Sequence, residues 1–275
     1  MSCRLVLRQP PALRVDARLL SPAHLRDLAV DDVRRVVLPS GRDRIELGEW
    51  FDVLPDDGAA DVLRIDGDLS RFDAVGAGLH EGTLHVRGDV GDAAGMGMTG
   101  GRLTIEGNAR DLAGCAMRGG WLEIAGDTGD LAASALPGDI DGMVGGTLVV
   151  RGRAGARLAD RMRRGTVVIH GDVGDFAASR MVAGTLAIGG RCGAMAGWGM
   201  RRGSVVFAGD APQVASTFVD VRSDANVFWQ LLARDLARFG APFDDLPRRG
   251  MTRFAGDLAA QGKGELLVAS RKGLR

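Results

Sequence analysis

Apolar and polar residues alternate in short segments that recur along most of the chain. In the segment GTLHVRG, which begins at Gly82, Leu84 and Val86 alternate with polar neighbours. A period of two is typical of a β-strand with one buried face. The same alternation follows each of a series of glycines, which we call the opening glycines. They lie at positions 82, 101, 120, 146, 165, 184 and 203, and a degenerate earlier unit begins at Asp61. The pattern therefore predicts eight strands of one kind.

The spacing between successive opening glycines is nearly constant. It is 19, 19, 26, 19, 19 and 19 residues, so one unit carries seven extra residues. A fixed period in this range indicates a solenoid, in which each repeat buries its apolar face against its neighbours. Another glycine follows six residues after each opening glycine, which indicates a corner that needs either a positive φ or close backbone approach. Six of the ten methionines fall sixteen residues after an opening glycine, if the insertion is allowed for, and we interpret this ladder as core filling.

These repeats predict an all-β protein. The expected fold is a right-handed parallel β-helix of about seven to eight turns with 19-residue repeats, plus a small N-terminal cap and a C-terminal helix. Right-handedness follows from the preference of parallel crossovers. A left-handed hexapeptide helix is the alternative, but 19 is not a multiple of six. The expected domains are a capping segment (1–60), the β-helix (61–220), and a C-terminal helix with a tail (221–275).

The N-terminal segment departs from the repeat pattern. A short helix that Ser21 and Pro22 open is predicted near His24–Leu28, and another is predicted from Asp31 to Val37. The segment RIELGEWF, which begins at Arg44, is predicted to be a strand that covers the first turn, because a solenoid needs such a cap.

The C-terminal segment SDANVFWQLLARDLARFGAP predicts a helix that Ser223 or Asp224 caps and Gly240 ends. Its apolar face needs a partner. One candidate is the outward face of the predicted strands, where an apolar row consists of Val149, Val168, Ala187 and Val206. Either the helix or another subunit is expected to cover this row. The final segment QGKGELLVASRKGLR is interpreted as a tail or a docking strand.

Composition narrows the classes of function. Glycine accounts for 42 of 275 residues, about twice the usual 7%. Net charge is zero, which argues against a nucleic-acid-binding protein. The three cysteines show no CxxC spacing, which disfavours a zinc ribbon, an iron–sulfur cluster or a disulfide scaffold and fits a reducing cytoplasm. The chain opens without a signal-peptide pattern and has no 18-residue apolar run, so we expect a cytoplasmic protein.

Catalytic and metal-binding patterns are not apparent in the sequence. The four histidines form no HxH or HExxH pair, so each is interpreted as a surface histidine and no metal site is predicted. Aspartates recur seven and ten residues after the opening glycines. Calcium binding needs nine-residue units, so we interpret these aspartates as solvated turn acids. No close pair of carboxylates is expected on the strand face, and no catalytic residue is predicted.

Arginines gather at the last corner of the repeats. They are Arg118, Arg163, Arg164, Arg201 and Arg202, with Arg161 and Arg180 nearby. Stacking of the repeats would place them in a partial cationic stripe. One interpretation is a solvated face that pairs with the Asp corners. The other is an edge that binds an anion or an acidic chain, because arginine forks onto carboxylates.

The segment from Gly95 to Gly107 reads GMGMTGGRLTIEG, and weaker copies occupy 113–126 and 196–209. This arrangement resembles the GXGXG repeat in the C-terminal domain of the glutamate synthase large subunit. The length of 275 residues, the proline- and RVDA-containing opening and the RIELGEWFDV segment are more similar to the C-subunit family of formylmethanofuran dehydrogenases. This family includes members from the bacterial formyltransferase/hydrolase complexes.

The resemblance implies a non-catalytic scaffold subunit in one-carbon metabolism and methylotrophy. In such a bacterial complex, formyl passes from formyl-tetrahydromethanopterin to a methanofuran analogue and is hydrolysed to formate. The implied partners are amidohydrolase-like, formyltransferase and dehydrogenase-B-like subunits, which carry the metals and the catalysis. The complex is expected to use tetrahydromethanopterin and a methanofuran analogue, and no cofactor is assigned to this chain itself. The arginine stripe is nevertheless a candidate for steering a polyanionic cofactor tail.

Two alternatives stay open. One is a stand-alone glutamate-synthase-type protein that partners amidotransferase subunits. The other is a β-helix hydrolase.

Overall fold

The computed structural model describes residues 2–56, 59, 61–221 and 226–270. Strands dominate this part of the chain, which confirms the predicted β-rich fold. The strands are β1 Ser2–Leu7, β2 Val15–Asp16, β3 Val37–Ser40, β4 Asp43–Glu46, β5 Phe51–Asp56, β6 Val62–Asp66, β7 Phe72–Asp73, β8 Thr83–Arg87, β9 Thr99–Ile105, β10 Arg118–Ile124, β11 Gly145–Val150, β12 Thr166–Ile169, β13 Thr185–Ile188, β14 Ser204–Phe207, β15 Val219–Asp220, β16 Met251–Gly256 and β17 Gly264–Ala269. The helices are α1 Pro22–Leu25, α2 Val30–Arg34, α3 Leu47–Trp50 and α4 Asn226–Ala237, with 3-10 turns at Leu246–Arg248 and Leu258–Ala260.

One large sheet contains all eight predicted repeat strands. Its order is β15-β16-β17-β14-β13-β12-β11-β10-β9-β8-β6-β1-β5. From β6 to β14 the neighbours are parallel, and equivalent residues of successive repeats lie opposite one another, as Leu84 does to Leu103. The long unit keeps this register, because Leu122 pairs with Leu148. The seven extra residues are therefore accommodated between strands. We call residues 61–210 the repeat stack.

A second parallel ladder joins the same repeats eight residues after each opening glycine. It consists of single bridges that run through Leu69, Val90, Ala109, Thr128, Ala154, Val173 and Cys192. Each repeat thus pairs with its neighbours in the strands and again in this ladder, and further backbone hydrogen bonds join the turns between them, such as Gly95 N–H to the carbonyl oxygen of Val75. The chain of each repeat returns to the sheet one strand further on. This arrangement satisfies backbone groups that irregular corners would otherwise leave unpaired.

The core of the repeat stack consists of the inward strand residues, a row of small residues and the methionine ladder. The members of the ladder are Met98, Met117, Met143, Met162, Met181 and Met200, and each is fully buried. The prediction that methionine fills the core is confirmed. A flexible thioether suits this position because it adapts to the differing neighbours of each turn.

Glycines serve the stack in two ways. The opening glycines have positive φ, as Gly82 does at 75° and Gly101 at 64°. Six residues later, a Cβ on Gly88 would collide with the carbonyl oxygen of Gly67, and the glycines further along this column meet the preceding turn in the same way. Close approach between turns is therefore a requirement at both positions, since a Cβ on Gly82 would lie 2.6 Å from the carbonyl oxygen of Asp61, and the opening position needs left-handed backbone as well.

The N-terminal segment caps the stack differently from the prediction. The cap strand β1 pairs in parallel with β6 and antiparallel with β5. The predicted continuous strand in RIELGEWF is wrong, since a helical turn, α3, separates β4 from β5 and buries Leu47 and Trp50. The helix expected from Asp31 to Val37 ends at Arg34, because Val37 begins β3. Helix α1, Pro22–Leu25, begins directly after Ser21, as predicted, and ends before Leu28.

The C-terminal segment covers the apolar row on the outside of the sheet. Val149, Val168 and Val206 are fully buried in one cluster with Trp229 of α4 and with Phe243. The sequence left two covers open, the helix or another subunit. The structure shows that the helix and the residues after it lie over the row. The helix ends at Ala237, and Gly240 follows with a φ of 80°. The predicted caps Ser223 and Asp224 lie outside the described residues.

Within the final segment, Gly264–Ala269 forms a docking strand. Strand β17 pairs in parallel with β14, with Val205 opposite Leu266, and β16 pairs antiparallel with β17. Among the described residues, no helix is both long and apolar enough to cross a membrane.

Candidate functional site

Three of the five predicted site arginines share one column of the repeat stack. The backbone N–H of Arg118, Arg163 and Arg201 each donates to the carbonyl oxygen of the methionine one turn earlier, at 2.7, 2.8 and 2.8 Å. The same bond type places Val144 and Val182 between them. Since stacked strands lie about 4.8 Å apart, the three arginines recur at roughly 10 Å along the stack.

Arg164 and Arg202 occupy the neighbouring column. The docking of strand β17 adds a cation beside this column. Lys263 lies two residues before Glu265, the partner of Ser204, and its N–H donates to the carbonyl oxygen of Arg201 at 2.6 Å. Sequence periodicity missed Lys263, since this residue lies 54 residues beyond the last repeat glycine, Gly209. The five arginines and Lys263 are all exposed. We call these six residues the cationic stripe.

The cationic stripe is only partly neutralised. Arg163 donates to the carboxylate of Asp141 at 2.7 Å, and Asp141 belongs to the long unit's extra loop rather than to an Asp corner. Within the described part of the chain, no carboxylate pairs with Arg118, Arg164, Arg201 or Arg202. The nearby Arg180 pairs with the buried Asp160, and Arg161 donates to the carbonyl oxygen of Asp139 at 2.8 Å. The uncompensated charge therefore lies mostly at the end of the stack near β14.

A surface cavity of about 400 Å³ lies beside Arg118. Residues of the long unit line it, among them Asp139, Ile140, Asp141 and Val144. Ile140 is 81% exposed. The cavity thus combines one guanidinium with two carboxylates, whereas the stripe further along carries only positive charge.

The recurring acids connect successive turns through hydrogen bonds, and we call these contacts the acid rungs. Asp89, Asn108, Asp127 and Asp172 each accept, through Oδ1, the backbone N–H of the equivalent residue one turn later, at 2.7 to 2.8 Å. The second series makes the same bond, as Asp130 does to the N–H of Ala156 at 2.7 Å. The carboxylates of Asp127 and Asp172 keep contact with solvent, as expected for turn acids, and in addition hydrogen-bond the next turn. Among the residues the structure describes, no three potential ligands come together to hold a metal ion.

Arginines complete two of these rungs. Arg153 and Arg191 stand where the acid series is interrupted, and their guanidinium groups bind the carboxylates of Asp127 and Asp172 at 2.9 and 3.0 Å. The backbone N–H bond and the guanidinium hold the pKa of both carboxyl groups below the ordinary value. These acids are fixed as charged acceptors and are not poised for proton transfer.

His170 is not the surface histidine that the sequence predicts. It lies half-buried beneath the segment that follows α4, with its ring edge-on to Phe243 at 5.3 Å. Burial lowers its pKa below the ordinary value. Its neighbours are Arg151, which binds Glu123 at 2.7 Å, and the carbonyl oxygen of Ala241. The network connects the sheet to the C-terminal segment.

The three thiols are also unsuited to chemistry at neutral pH. Burial raises the pKa of Cys115 and of Cys192 to about 12, and it raises that of Cys3 as well. A thiol is nucleophilic as the thiolate, and these groups stay protonated.

The GXGXG motif family model matches residues 67–223. The C subunit of the molybdenum-containing formylmethanofuran dehydrogenase 1 of Methanothermobacter thermautotrophicus is 32% identical over 77 residues, which cover 28% of this chain and 19% of that protein. The C subunit of the formyltransferase/hydrolase complex Fhc of Methylorubrum extorquens is 41% identical over 78 residues, which cover 28% of this chain and 29% of that protein. These alignments span less than a third of either curated relative.

A solved structure matches far more of the chain. It is a chain in the crystal structure of the formyltransferase/hydrolase complex FhcABCD from Methylorubrum extorquens, in complex with methylofuran. The sequences are 40% identical, the TM-score is 0.90, and the match covers 98% of this chain and 100% of that one.

Proposed function

Because this chain belongs to the GXGXG family and is a homologue of the Fhc C subunit, we propose that it is the non-catalytic scaffold subunit of a formyltransferase/hydrolase complex. The single observation that carries this proposal is the match to a chain of the FhcABCD complex over 98% of this chain and 100% of that one. A complex of this kind would transfer formyl from formyl-tetrahydromethanopterin to a methanofuran analogue and hydrolyse it to formate.

The architecture that we propose for the scaffold is a right-handed parallel β-helix of about seven to eight turns. Two parallel ladders per repeat and the unbroken register of the strands support it. The right-handed sense rests on the general preference of parallel crossovers. A crystal structure that traced the crossovers in the opposite sense would contradict it.

The scaffold role is supported by how the reactive groups of this chain are used. The recurring acids accept backbone N–H groups, and the thiols are held protonated by burial. His170 lies between the sheet and the C-terminal segment. We therefore assign catalysis to partner subunits of the amidohydrolase-like, formyltransferase and dehydrogenase-B-like types, in a cytoplasmic hetero-oligomer.

For the cationic stripe we propose contact with a polyanionic cofactor tail. The solved relative contains methylofuran, which fits the use of a methanofuran analogue in such a complex. A carboxylate-rich chain is a suitable ligand because guanidinium groups at regular spacing match repeated carboxylates. The end near β14, with Arg164, Arg201, Arg202 and Lys263, is the favoured part because no described carboxylate pairs with it.

Two experiments test these proposals. Co-expression with the products of the neighbouring genes should yield a complex that contains formyltransferase-like and amidohydrolase-like subunits. Glutaminase-type partners, or formyl turnover by the purified single chain, would contradict the scaffold proposal. Replacement of Arg163, Arg164, Arg201 and Arg202 by Ala should lower turnover by the assembled complex and raise its dependence on cofactor concentration. The control replaces four exposed arginines of the N-terminal segment, Arg18, Arg35, Arg42 and Arg44. Equal kinetics of the two variants would remove the tail-binding role.

A further inference from the structure

Side chains occupy a left-handed backbone position along the repeat stack. Eleven residues after each opening glycine, φ lies between 57° and 64° in every repeat from Ala93 to Met195, and none of these residues is glycine. The series is Ala93, Leu112, Leu131, Arg157, Phe176 and Met195. A left-handed conformation costs a residue with a Cβ roughly 1–2 kcal/mol, and glycine would remove this cost. The last three members are nevertheless large.

Those three large residues form one surface with Trp198. The ring of Trp198 meets that of Phe176 edge-on at 6.3 Å, and the guanidinium of Arg157 lies 5.6 Å from the Phe176 ring. Met195 is 41% exposed and Trp198 is 47% exposed. We call Arg157, Phe176, Met195 and Trp198 the aromatic patch.

The exposure of Trp198 is unusual in this chain. Of the four tryptophans, Trp50 and Trp229 are buried and Trp121 is half-buried. Trp198 alone is exposed, and its ring packs edge-on against that of Phe176. A large, rigid aromatic surface held in place before binding loses little side-chain entropy when a partner arrives.

The charge of the aromatic patch selects the chemistry of its partner. Arg153 and Arg191 are each bound to an aspartate. Arg157 lies over a ring instead, and no carboxylate within the described part of the chain pairs with it. The patch therefore offers an apolar surface with an uncompensated positive charge at one side. A matching surface would be apolar with a carboxylate at its edge.

We propose that the aromatic patch is a docking surface for an acidic, apolar polypeptide segment of a partner subunit. The apolar part of that segment packs on Phe176, Met195 and Trp198, and its carboxylate binds Arg157. Tryptophan, arginine, phenylalanine and methionine are the residue types enriched in protein interfaces, and the first two are frequent hot spots. This inference rests on the proposed function, because the partner is a subunit of the same complex.

The test measures how tightly the purified chain binds each partner subunit, with one subunit in each experiment, at low and at moderate salt. Trp198→Ser should weaken binding to one partner at least ten-fold and leave its salt dependence intact. Arg157→Gln should weaken the same partner and flatten the salt dependence. Neither variant adds backbone strain. Arg157→Gln keeps a Cβ in the left-handed conformation at position 157, and Trp198 is not among the residues with positive φ. The control is Leu54→Ser, an exposed apolar position, 44% exposed, on the edge strand β5.

The outcomes separate this inference from the proposed function. If the wild-type chain binds partners and both variants bind them equally well, the docking surface is wrong and the scaffold proposal stands. If the variants lose only self-association in sedimentation, the occupant is a second copy and the inference is overturned. If the wild-type chain binds no partner subunit, both proposals fail together. Unchanged melting temperatures in the variants exclude loss of folding as the cause of weaker binding.

Discussion

A guanidinium nitrogen of Arg151 lies 2.9 Å from Nε2 of His170, and the other ring nitrogen of His170 lies 2.9 Å from the carbonyl oxygen of Ala241. Because arginine only donates, Nε2 must accept, and the ring proton lies on Nδ1 and is donated to Ala241. His170 is therefore neutral in this arrangement. Arg151 also donates to the carbonyl oxygen of Phe239 at 3.0 Å. The pair joins the sheet to the segment that covers its apolar row.

Acid should loosen this connection. The pKa of His170 is lowered in the folded protein, mainly by burial and further by Arg151, while the hydrogen bond to Ala241 and the charge of Glu123 oppose the effect. The unfolded chain therefore binds the proton first as pH falls, so the stability contributed by neutral His170 is present above pH about 6.5 and declines below it. Urea unfolding at pH 7.5 and 5.5 should show a larger loss of unfolding free energy for the wild type than for His170→Gln. Equal losses in the two proteins would contradict the assignment.

Truncation of Phe243, which packs on the apolar row of the sheet, should expose that row. Phe243 is fully buried against Val149, Val168 and Val206. Phe243→Ala should lower the unfolding free energy by about 3–5 kcal/mol and increase binding of a hydrophobic dye. Leu231 is on the outer face of α4 and 63% exposed. Leu231→Ala is the control, and we expect a change within about 0.5 kcal/mol. Similar effects in both variants would mean that the row does not depend on this cover.

Replacement of a glycine should cost more stability where two turns approach closely than where only a left-handed backbone is required. A Cβ on Gly107 would lie 2.6 Å from the carbonyl oxygen of Gly88, and Gly107 has no positive φ, so Gly107→Ala must separate two hydrogen-bonded turns without adding left-handed strain. Gly97 has a φ of 63° and open space, and Ala116 occupies the equivalent position one turn later. Gly97→Ala should cost about 1 kcal/mol and Gly107→Ala more than about 3 kcal/mol. Thermal melting compares the two directly, and equal shifts in melting temperature would refute the difference.

The acid rungs should depend on an acceptor oxygen more than on charge. Asp127 accepts the N–H of Arg153, and Asn108 performs the same task one turn earlier. Asp127→Ala removes the acceptor and should cost about 1–2 kcal/mol, whereas Asp127→Asn keeps it and should cost less. Since the pKa of Asp127 is lowered, its charge contributes above the unfolded pKa, and this contribution is lost as pH falls through the folded pKa. The difference between wild type and the Asn variant should therefore vanish in acid, as chemical denaturation would show.

The thiols should be inert in the folded protein. With a pKa of about 12, Cys115 and Cys192 carry almost no thiolate at pH 8. Labelling with a disulfide reagent should be slow in buffer and should reach all three cysteines in denaturant. Rapid labelling of Cys115 or Cys192 before unfolding would show that the stack opens locally.

The strand rows and the methionine ladder could be predicted because the same residue types recur at the same position of each repeat, and this periodicity is visible in the sequence. The sequence did not reveal that Leu112 or Phe176 adopts a left-handed backbone, since bulky residues carry no local signal for it. The alternation in RIELGEWF concealed α3, where Gly48 lies close to the backbone of Arg34, a contact between segments that are not adjacent in sequence. At the cationic stripe, periodicity aligned Arg163 with Arg201. The path of the seven extra residues decides that Asp141 meets Arg163, and the added cation Lys263 comes from a docking strand outside the repeats.

Strand β17 occupies the hydrogen-bonding edge that a further repeat after β14 would need, and β16 runs against it. At the opposite end, β5 likewise runs against β1. Duplication of a repeat at either terminus would have to displace a strand that already belongs to the sheet. A unit inserted between two existing repeats meets compatible neighbours on both sides, so evolutionary growth of this protein is expected from its interior.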